Sequence, residues 1–232
     1  MTILYKKVAL IGLGLIASSI GHGLKKHGLC VTISGHAKTS NTRKKALELN
    51  IIDEICDSAA EAVLGADLVI ISTPVGVMGE IAKEISSSLK DGATLTDVGS
   101  VKKAVISLIK PHLSSSVHFI PGHPVAGTER SGPESGFAEL FKDRWCLLTP
   151  LPNTDEVALS KLTEMWQRLG ARVDTMDAKH HDLVLAVTSH SPHLIAYTMV
   201  GVADDLRRVT NSEVVNYSAA GFRDFTRIAA SD

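Results

Sequence analysis

The sequence predicts the α/β fold class, in which a doubly wound, mostly parallel sheet precedes an all-α segment. Short apolar runs alternate with amphipathic stretches over the first part of the chain, and a glycine-rich turn follows the first apolar run. No strand pattern occurs after residue 177. Repeated βαβ units with these features favour an open sheet of the Rossmann type. We therefore expect an open-sheet domain at 1–176 and a helical domain at 177–232.

Each predicted element has its own signal. The first strand is predicted at 8–11, where the residues are continuously apolar, as in a strand buried on both faces. A helix is predicted at 15–27, where Gly28 ends it. The same patterns predict further strands at 31–34, 68–72, 94–97, 117–120, 145–149 and 172–176, and further helices at 42–50, 58–64, 77–89, 101–109 and 154–169. Two helices are predicted in the second domain, at 179–208 and 211–230, with Pro192 kinking or breaking the first.

Composition and charge argue against several classes of protein. The 232 residues include 25 acidic and 24 basic side chains, and a nucleic-acid partner, which needs a basic surplus, is not expected. No apolar stretch reaches the ~18 residues of a membrane-spanning helix, so no membrane association is expected. The three cysteines form no CxxC pair, which argues against a disulfide framework or a zinc knuckle. We expect a protein of the reducing cytoplasm.

The first motif is the turn GLGLIA at 12–17, between the first predicted strand and helix. In a dinucleotide-binding turn, the first glycine permits a tight turn and the second lets the backbone approach a pyrophosphate. The third small residue allows close packing of helix on strand, and the helix N-terminus presents free N–H groups to the phosphates. The motif predicts NAD(P)+ binding through Gly12, Gly14, Leu15, Ile16 and Ala17. A plain strand-to-helix turn is the alternative.

The end of the second predicted strand bears on the choice of cofactor. Enzymes that prefer NAD usually place an acid there to bind the ribose 2′-hydroxyl. Residues 34–39 read SGHAKT, so Ala37 takes the position of the acid and Lys38 follows it. A lysine without a carboxylate tolerates a 2′-phosphate, which leans slightly toward NADP or toward use of both cofactors. A solvated loop lysine is the alternative interpretation of Lys38.

Polar residues follow two later predicted strands. Thr73 and Pro74 follow one apolar strand, Asp97 ends another, and Ser100 lies three residues beyond it. Ligands of open α/β sheets bind at the carboxyl ends of the strands. These four residues are therefore predicted to contact the cofactor. The alternative for Asp97 and Ser100 is a purely structural role at the start of the next helix.

A segment rich in glycine and proline at 121–129 carries His123 and Glu129. We expect this loop to hold both side chains on a rigid, exposed turn. The pKa of a histidine lies close to neutrality, so His123 suits proton transfer. A structural loop histidine is the alternative.

The helical part carries further polar clusters. His180 and His181 are followed by His190 and His193, but their spacing matches no metal-ligand motif and no cysteine is near, so no metal is expected. Substrate binding at His190 or His193 is the favoured interpretation.

Two arginines near the end of the chain, Arg223 and Arg227, are four residues apart. On a helix they would share one face, and guanidinium groups match the geometry of carboxylates. The pair is predicted to bind a dicarboxylate, with a solvated basic face as the alternative.

In order along the chain, the segments GLGLIASS, DVGSVK, GHPVAGTERSG, KHHD with SHSPH, and GFRDFTRIAASD resemble the prephenate/arogenate dehydrogenase family. The bacterial cyclohexadienyl dehydrogenases resemble them most. The resemblance covers essentially the whole chain and implies a Rossmann domain followed by a helical domain that forms a homodimer. It implies oxidative decarboxylation of prephenate to 4-hydroxyphenylpyruvate, or of L-arogenate to L-tyrosine, with hydride transfer to NAD(P)+.

The resemblance also implies roles for individual residues. His123 matches the histidine that accepts the proton of the ring C4 hydroxyl, and Ser100 matches a serine that orients this hydroxyl. Arg227 matches an arginine that binds a substrate carboxylate, and Glu129 matches an acid implicated in positioning and gating. Substrate contacts are implied for three more residues: His190, His193 and Arg223.

The sequence departs from the family pattern in three respects. Family members usually carry Gly where Ala17 stands and Leu where Ser191 stands. Relatives also continue past the final AASD segment, so an incomplete helical domain is expected.

Two alternative functions stay open: another Rossmann reductase, of the β-hydroxyacid or pyrroline-carboxylate type, and a nucleotide-binding remnant without activity. Prephenate and arogenate stay equal candidates because they present the same ring and a shared carboxylate.

Overall fold

The computed structural model describes residues 2–207 and 219–230. The chain forms two compact units, of which the first comprises Met1–Gly127 and Ser131–His181 and the second Thr128–Arg130 and Asp182–Asp232. The predicted domain division, 1–176 and 177–232, stays a prediction. Of the two helices predicted in the second domain, residues 208 and 211–218 lie outside the described part of the chain.

Six parallel strands form the main sheet of the first unit. Their order is β3-β2-β1-β4-β5-β6, so the chain moves outward from β1 in both directions, which is a doubly wound arrangement. The strands are β1 (Tyr5–Ile11), β2 (Cys30–His36), β3 (Glu54–Ile55), β4 (Leu68–Ile71), β5 (Thr94–Asp97) and β6 (His118–Phe119). The predicted fold class is confirmed.

Six α-helices of the first unit flank its strands, and their starts show the expected capping chemistry. Thr39, Ser58 and Asp155 cap three of them by accepting a hydrogen bond from the N–H three residues on. The first helix begins after Gly14 with no side-chain cap. The helices are α1 (Leu15–Lys26), α2 (Ser40–Glu48), α3 (Ala59–Ala62), α4 (Met78–Ile85), α5 (Lys102–Ile109) and α6 (Glu156–Arg168).

The main sheet is buried on both faces. Val8 and Leu10 of β1 belong to one hydrophobic cluster, and Ala9 and Ile11 belong to a second. Successive side chains of a strand point to opposite faces, so these clusters lie on opposite sides of the sheet. The carboxyl ends of the strands, where ligands of this fold class bind, therefore rest on a core packed from both sides.

A second, three-stranded sheet holds the histidine predicted to act as a base. It is formed by β7 (Gly122–Pro124), β8 (Trp145–Leu148) and β9 (Arg172–Thr175), with β7 antiparallel and β9 parallel to β8. His123 is the central residue of β7 and is only 8% exposed. The prediction of a rigid, exposed turn was therefore wrong for His123. A three-residue strand that contains Gly and Pro has no alternating apolar pattern, so the sequence did not predict a strand there.

A long helix follows the last strand. It begins with α7 (Ala178–Leu185), passes through a π-helical segment at Ala186–His190 and continues as α8 (Ser191–Arg207). Pro192 cannot donate to the carbonyl group of the preceding turn. The wider π turn directly before it keeps the helix continuous, so Pro192 does not break it. A final helix, α9 (Ala220–Thr226), packs against α8 and ends in a 3₁₀ turn at Arg227–Ala230.

Length and composition alone would allow the helix Ala178–Leu206 to cross a membrane, and 11% of its most apolar window is buried. The helix has no uninterrupted apolar run of spanning length, but its mean hydropathy over 18 residues is high enough for a spanning helix. A helix whose apolar face is covered by a protein partner can have the same length and hydropathy.

Candidate active site

The turn after β1 adopts a conformation that requires glycine at Gly12. Its φ angle is +89°, and a Cβ atom there would lie 2.6 Å from the carbonyl oxygen of Ser72. The Gly12 N–H donates to the carbonyl oxygen of His36 at 2.8 Å. Gly12 thus allows the ends of β1, β2 and β4 to approach one another without a backbone clash.

Gly14 has a different environment. It directly precedes α1, and a Cβ atom added there would meet no described atom within 4 Å. The first N–H groups of a helix, here beginning at Leu15 and Ile16, have no acceptor within the helix. Ala17 is fully buried, as the third small position of the motif requires. Open space before a helix N-terminus fits a pyrophosphate.

The end of β4 places an unsatisfied polar group beside this turn. The Thr73 hydroxyl is buried and has no hydrogen-bond partner in the described part of the chain. Its Cγ2 atom would lie 3.0 Å from a Cβ atom on Gly12, which shows how close the two segments are. Pro74 follows and accepts a hydrogen bond from the Val77 N–H. A buried hydroxyl without a partner is uncommon in proteins, so Thr73 keeps an unused donor and acceptor beside the turn. Cofactor contacts of Thr73 and Pro74 stay predictions.

Basic side chains lie around the end of β2. Ala37 is buried at the position where an acid would bind the ribose, and Lys38 beside it is exposed. Arg43 of α2 donates from Nη1 to the Ala37 carbonyl oxygen at 2.7 Å and from Nη2 to Asp57 Oδ1 at 3.0 Å. The strand end therefore has no acid at position 37, and of its two cations Arg43 is paired with Asp57 while Lys38 is exposed. Cofactor binding by Lys38 stays a prediction.

Asp97, at the end of β5, is fully buried and binds within the protein. Its Oδ2 accepts from Lys102 Nζ at 2.5 Å and from the Gly99 N–H at 2.7 Å, and its Oδ1 accepts from the Gly122 N–H at 3.2 Å. Lys102 is also fully buried and donates to the Gly122 carbonyl oxygen at 2.5 Å. Burial raises the pKa of Asp97, while Lys102 and the two N–H donors oppose that rise. Both carboxylate oxygens are occupied by protein groups, so Asp97 positions Gly122 and β7.

His123 follows Gly122 on β7 and contacts a second histidine. Its Nδ1 lies 2.9 Å from Nε2 of His181, and the two ring centroids are 5.1 Å apart at an angle of 63°. His181 is fully buried in α7. Burial restricts the ring of His123 to a fixed orientation, which a general base requires.

Ser100, the second predicted catalytic residue, lies in the turn between β5 and α5 and is exposed. The turn begins at Asp97, whose carboxylate also holds the start of β7. Ser100 and His123 are therefore on segments that the same buried ion pair connects. The catalytic role of Ser100 stays a prediction.

The second unit brings together two predicted residues, Glu129 and Arg227. The Arg227 Nη1 donates to Glu129 Oε1 at 3.2 Å, and both side chains are more than half exposed. Arg227 begins the 3₁₀ turn after α9, with helical backbone angles that keep it on the same face as Arg223. Arg223 is exposed.

His193 is held by its own helix. Its Nδ1 lies 2.8 Å from the carbonyl oxygen of Ser189, and a carbonyl can only accept, so Nδ1 carries a proton. His190 ends the π-helical segment and is half-buried. Such segments are frequent at functional sites because the wider turn alters the direction of nearby side chains. Substrate binding by His190 and His193 stays a prediction.

The sequence interpretation did not assign two residues that the structure places at this site, Lys102 and His181. The only signal for Lys102 was a lysine at the start of an amphipathic helix, where most lysines are solvated. His181 lay in a run of two histidines that was considered only as a metal ligand. Among the described residues, no group of three or more histidine, cysteine or acidic side chains could hold a metal ion.

Two family models match this chain. The prephenate dehydrogenase nucleotide-binding domain matches residues 20–175, and the prephenate dehydrogenase dimerisation domain matches residues 177–232. The chain belongs to the prephenate dehydrogenase family. The predicted family is confirmed, and with it the predicted class of enzyme, a dehydrogenase of tyrosine biosynthesis.

Curated relatives in this family match nearly the whole chain. The cyclohexadienyl dehydrogenase of Zymomonas mobilis is 41% identical over 98% of this chain and 78% of its own length. The prephenate dehydrogenases of Lactococcus lactis and Bacillus subtilis are 37% and 35% identical, and the chain spans 62% and 60% of their lengths. The match therefore includes both the Rossmann and the helical parts.

Solved structures agree with this family membership. Prephenate dehydrogenase from Aquifex aeolicus was crystallised with hydroxyphenyl propionate and NAD+. Its structure superposes on this chain with a TM-score of 0.88 at 34% identity, and the aligned region includes 100% of this chain and 80% of the Aquifex chain. Synechocystis arogenate dehydrogenase has a TM-score of 0.80 at 27% identity and covers 97% of this chain and 80% of its own. Pyrroline carboxylate reductase from Plasmodium falciparum shares the fold alone. It is 12% identical with a TM-score of 0.61, and the aligned region includes 99% of this chain and 76% of the reductase chain.

Proposed function

We propose that this chain oxidatively decarboxylates prephenate, L-arogenate or both, with hydride transfer to NAD(P)+, as a step of tyrosine biosynthesis in the cytoplasm. The observation that carries the proposal is the buried His123, fixed by His181 in the same unit as the dinucleotide-binding turn. The relatives named above include a cyclohexadienyl, a prephenate and an arogenate dehydrogenase. The three cysteines are free, which suits a reducing compartment.

The reaction asks little covalent chemistry of the protein. When bound, the nicotinamide accepts the hydride from ring C4. The bond from C1 to its carboxylate breaks, its electron pair enters the ring, and CO2 leaves. His123 takes the proton of the C4 hydroxyl as hydride departs and returns a proton to the phenolate, so no net proton is consumed. The protein must then orient the ring and hold one proton at His123 Nε2.

We assign recognition of the substrate to residues of the second unit. Arg227 and Arg223 suit carboxylates because a guanidinium offers paired N–H donors. The assignment is supported by Glu129, whose carboxylate oxygen accepts a hydrogen bond from Arg227 at 3.2 Å. His190 and His193 complete the assignment as polar side chains of the helical segment.

For the cofactor, we propose that the site accepts NADP+ as well as NAD+. Position 37 is an alanine rather than an acid, so no carboxylate there would repel a 2′-phosphate. Lys38 is exposed, and Arg43 is held at the same strand end. Lys38 supplies the favourable charge that a 2′-phosphate requires, whereas the charge of Arg43 is already balanced by Asp57.

We also propose that the chain forms a homodimer through the helical segment. The second family model is described as a dimerisation domain. The helix α8 exposes several large apolar side chains, which normally mark a protein interface, and four of them share one helical face: Ile195, Met199, Val202 and Leu206. A sizing column supports the proposal if the chain elutes as a dimer without detergent. A monomer, or a protein soluble only with detergent, would contradict it.

A two-by-two rate assay tests the proposed reaction, with prephenate or arogenate and NAD+ or NADP+. We expect reduced cofactor to form with at least one substrate and with both cofactors. The variant Ala37→Asp should lower kcat/KM for NADP+ about 10-fold or more, through like-charge repulsion, while NAD+ is retained. Cofactor binding without turnover of either substrate would favour a nucleotide-binding remnant and reject the proposed reaction.

A further inference from the structure

We propose that His181 is a positioning residue that sets the tautomer of His123. In this arrangement the proton of neutral His123 lies on Nδ1, and the lone pair that accepts the substrate proton lies on Nε2. The inference rests on the reaction proposed above, and it gives a role to a fully buried residue to which the family resemblance assigned none.

The geometry supports a fixed pairing of the two rings. His123 Nδ1 and His181 Nε2 are 2.9 Å apart, a hydrogen-bonding distance, and both side chains are buried. The His181 backbone N–H donates to the Asp177 carbonyl oxygen in the first turn of α7. On the other side, Lys102 and Asp97 hold Gly122, the residue before His123. Both rings are thus anchored through backbone on separate elements.

The hydrogen bond can form in two ways, and only one leaves a base. If His123 Nδ1 accepts, its proton lies on Nε2, and that nitrogen cannot take a proton from the substrate. If His123 Nδ1 donates to His181 Nε2, the lone pair lies on His123 Nε2. In this second arrangement His181 orients His123 as the third group of a catalytic triad orients its base. His181 must then carry its own proton on Nδ1.

The orienting group is a neutral imidazole instead of a carboxylate. Burying it adds no net charge, so the pair avoids the desolvation penalty of a buried ion. It also stabilises the imidazolium of His123 less than a carboxylate would. We therefore expect loss of the bond to cost about 10-fold to 100-fold in kcat, less than the ~10⁴-fold seen when a triad carboxylate is neutralised.

Two amide variants of His181 provide a matched test. In His181→Gln, Oε1 is the same number of bonds from the backbone as Nε2 and can accept from His123 Nδ1. In His181→Asn, the amide is one methylene shorter and cannot reach. We expect Gln to keep kcat within about 3-fold and Asn to lose about 10-fold to 100-fold, each with KM nearly unchanged. The exposed neighbour provides the control, and His180→Asn should match the wild type.

The pH profile separates positioning from general loss of structure. Without the acceptor, the imidazolium of His123 is less stable, so the acidic limb of kcat/KM should move to lower pH in His181→Asn and stay in place in His181→Gln. Equal losses in both variants with no movement of the limb would overturn the proposal.

A tautomer measurement on the wild-type chain needs no activity. Long-range ¹⁵N–¹H NMR correlation spectra distinguish a protonated from an unprotonated ring nitrogen. We expect His123 to carry its proton on Nδ1 at a pH above its titration. A proton on Nε2 would overturn the inference even if the amide variants fail to fold. Failure of the proposed reaction would instead appear as no wild-type turnover, with the tautomer unaffected.

Discussion

Two ion pairs, one in each unit, differ in almost every physical respect. Asp97 and Lys102 are both 0% exposed, with 2.5 Å between Oδ2 and Nζ. Glu129 and Arg227 are 52% and 68% exposed, with 3.2 Å between Oε1 and Nη1. The buried pair is surrounded by protein donors and acceptors, whereas the other lies in solvent. The contrast separates a charge pair that builds the site from one that can exchange partners.

The buried pair acts on the backbone. Its carboxylate holds the N–H groups of Gly99 and Gly122, and its ammonium group holds the carbonyl oxygen of Gly122. Gly122 is also confined sterically, since a Cβ atom there would lie 3.1 Å from the Asp97 carbonyl oxygen. A buried pair with these bonds fixes the start of β7 and, with it, the position of His123.

The exposed pair can contribute little to folding, because solvent and salt screen its charges. The exposed pair matters because another carboxylate can replace Glu129 as the partner of Arg227. A substrate carboxylate offers Arg227 the same chemistry that Glu129 offers, so under the proposed function the arginine can exchange one acid for the other at low cost. The first of these pairs should thus affect stability and the second substrate affinity.

The largest expected effect is on turnover, at the residue that the buried pair positions. His123→Asn should lower kcat by about 10²–10⁴-fold, the usual contribution of a general base, and leave KM for prephenate nearly unchanged. Steady-state kinetics measures both. The exposed His112 provides the control, because His112→Asn should keep the wild-type rate. A near-normal rate for His123→Asn would reject its assignment as the base.

The next effect is on stability. Lys102→Met should lower the free energy of unfolding by about 3–5 kcal/mol, because it leaves the Asp97 carboxylate buried and unpaired. Urea unfolding measures the loss. The exposed Lys44 of α2 provides a control, and Lys44→Met should stay within about 0.5 kcal/mol of the wild type. Similar results for the two variants would contradict the structural role of the buried pair.

The strands of the main sheet were predictable because periodicity reports burial. The strand predicted at 94–97 coincides with β5, and the helix predicted at 15–27 lies within one residue of α1. The two-residue strand β3 was missed, since Glu54 and Ile55 are both exposed and carry no apolar run. The other two-residue edge strand, β6, lies within the strand predicted at 117–120 because its segment includes an apolar run. Local patterns thus predicted the short strand that is apolar and missed the one that is exposed.

The site was only partly predictable because the residues that contact each other in it are far apart in the sequence. The glycine turn and the histidine of β7 have residue types that suggest chemistry on their own. The partners that fix them do not: His181 is 58 residues from His123 in sequence, and the lysine of the buried pair looks like a surface residue until the fold excludes it from solvent. Side-chain pairing across elements depends on packing, which a single sequence does not report.

A smaller effect is expected at the exposed pair, on affinity. Arg227→Ala should raise KM for prephenate about 10-fold to 100-fold, since a hydrogen bond to a charged group contributes ~1.5–3 kcal/mol, while kcat changes little. The exposed Arg130, which follows Glu129 in the chain, is the control, and the Arg130→Ala variant should bind prephenate normally. An unchanged KM in Arg227→Ala would show that this arginine does not bind the substrate.

The smallest expected effect completes the comparison. Glu129→Gln should change the free energy of unfolding by no more than about 0.5 kcal/mol, because an exposed pair offers little net Coulomb energy. Urea unfolding at low and high salt measures it, and the small difference should vanish at high salt, where the charges are screened. Asp97→Asn, measured in parallel, should lose stability at both salt concentrations because its site excludes water and ions. A loss above 1 kcal/mol for Glu129→Gln that persists at high salt would mean that the two pairs are alike in function and that exposure is a poor guide to their roles.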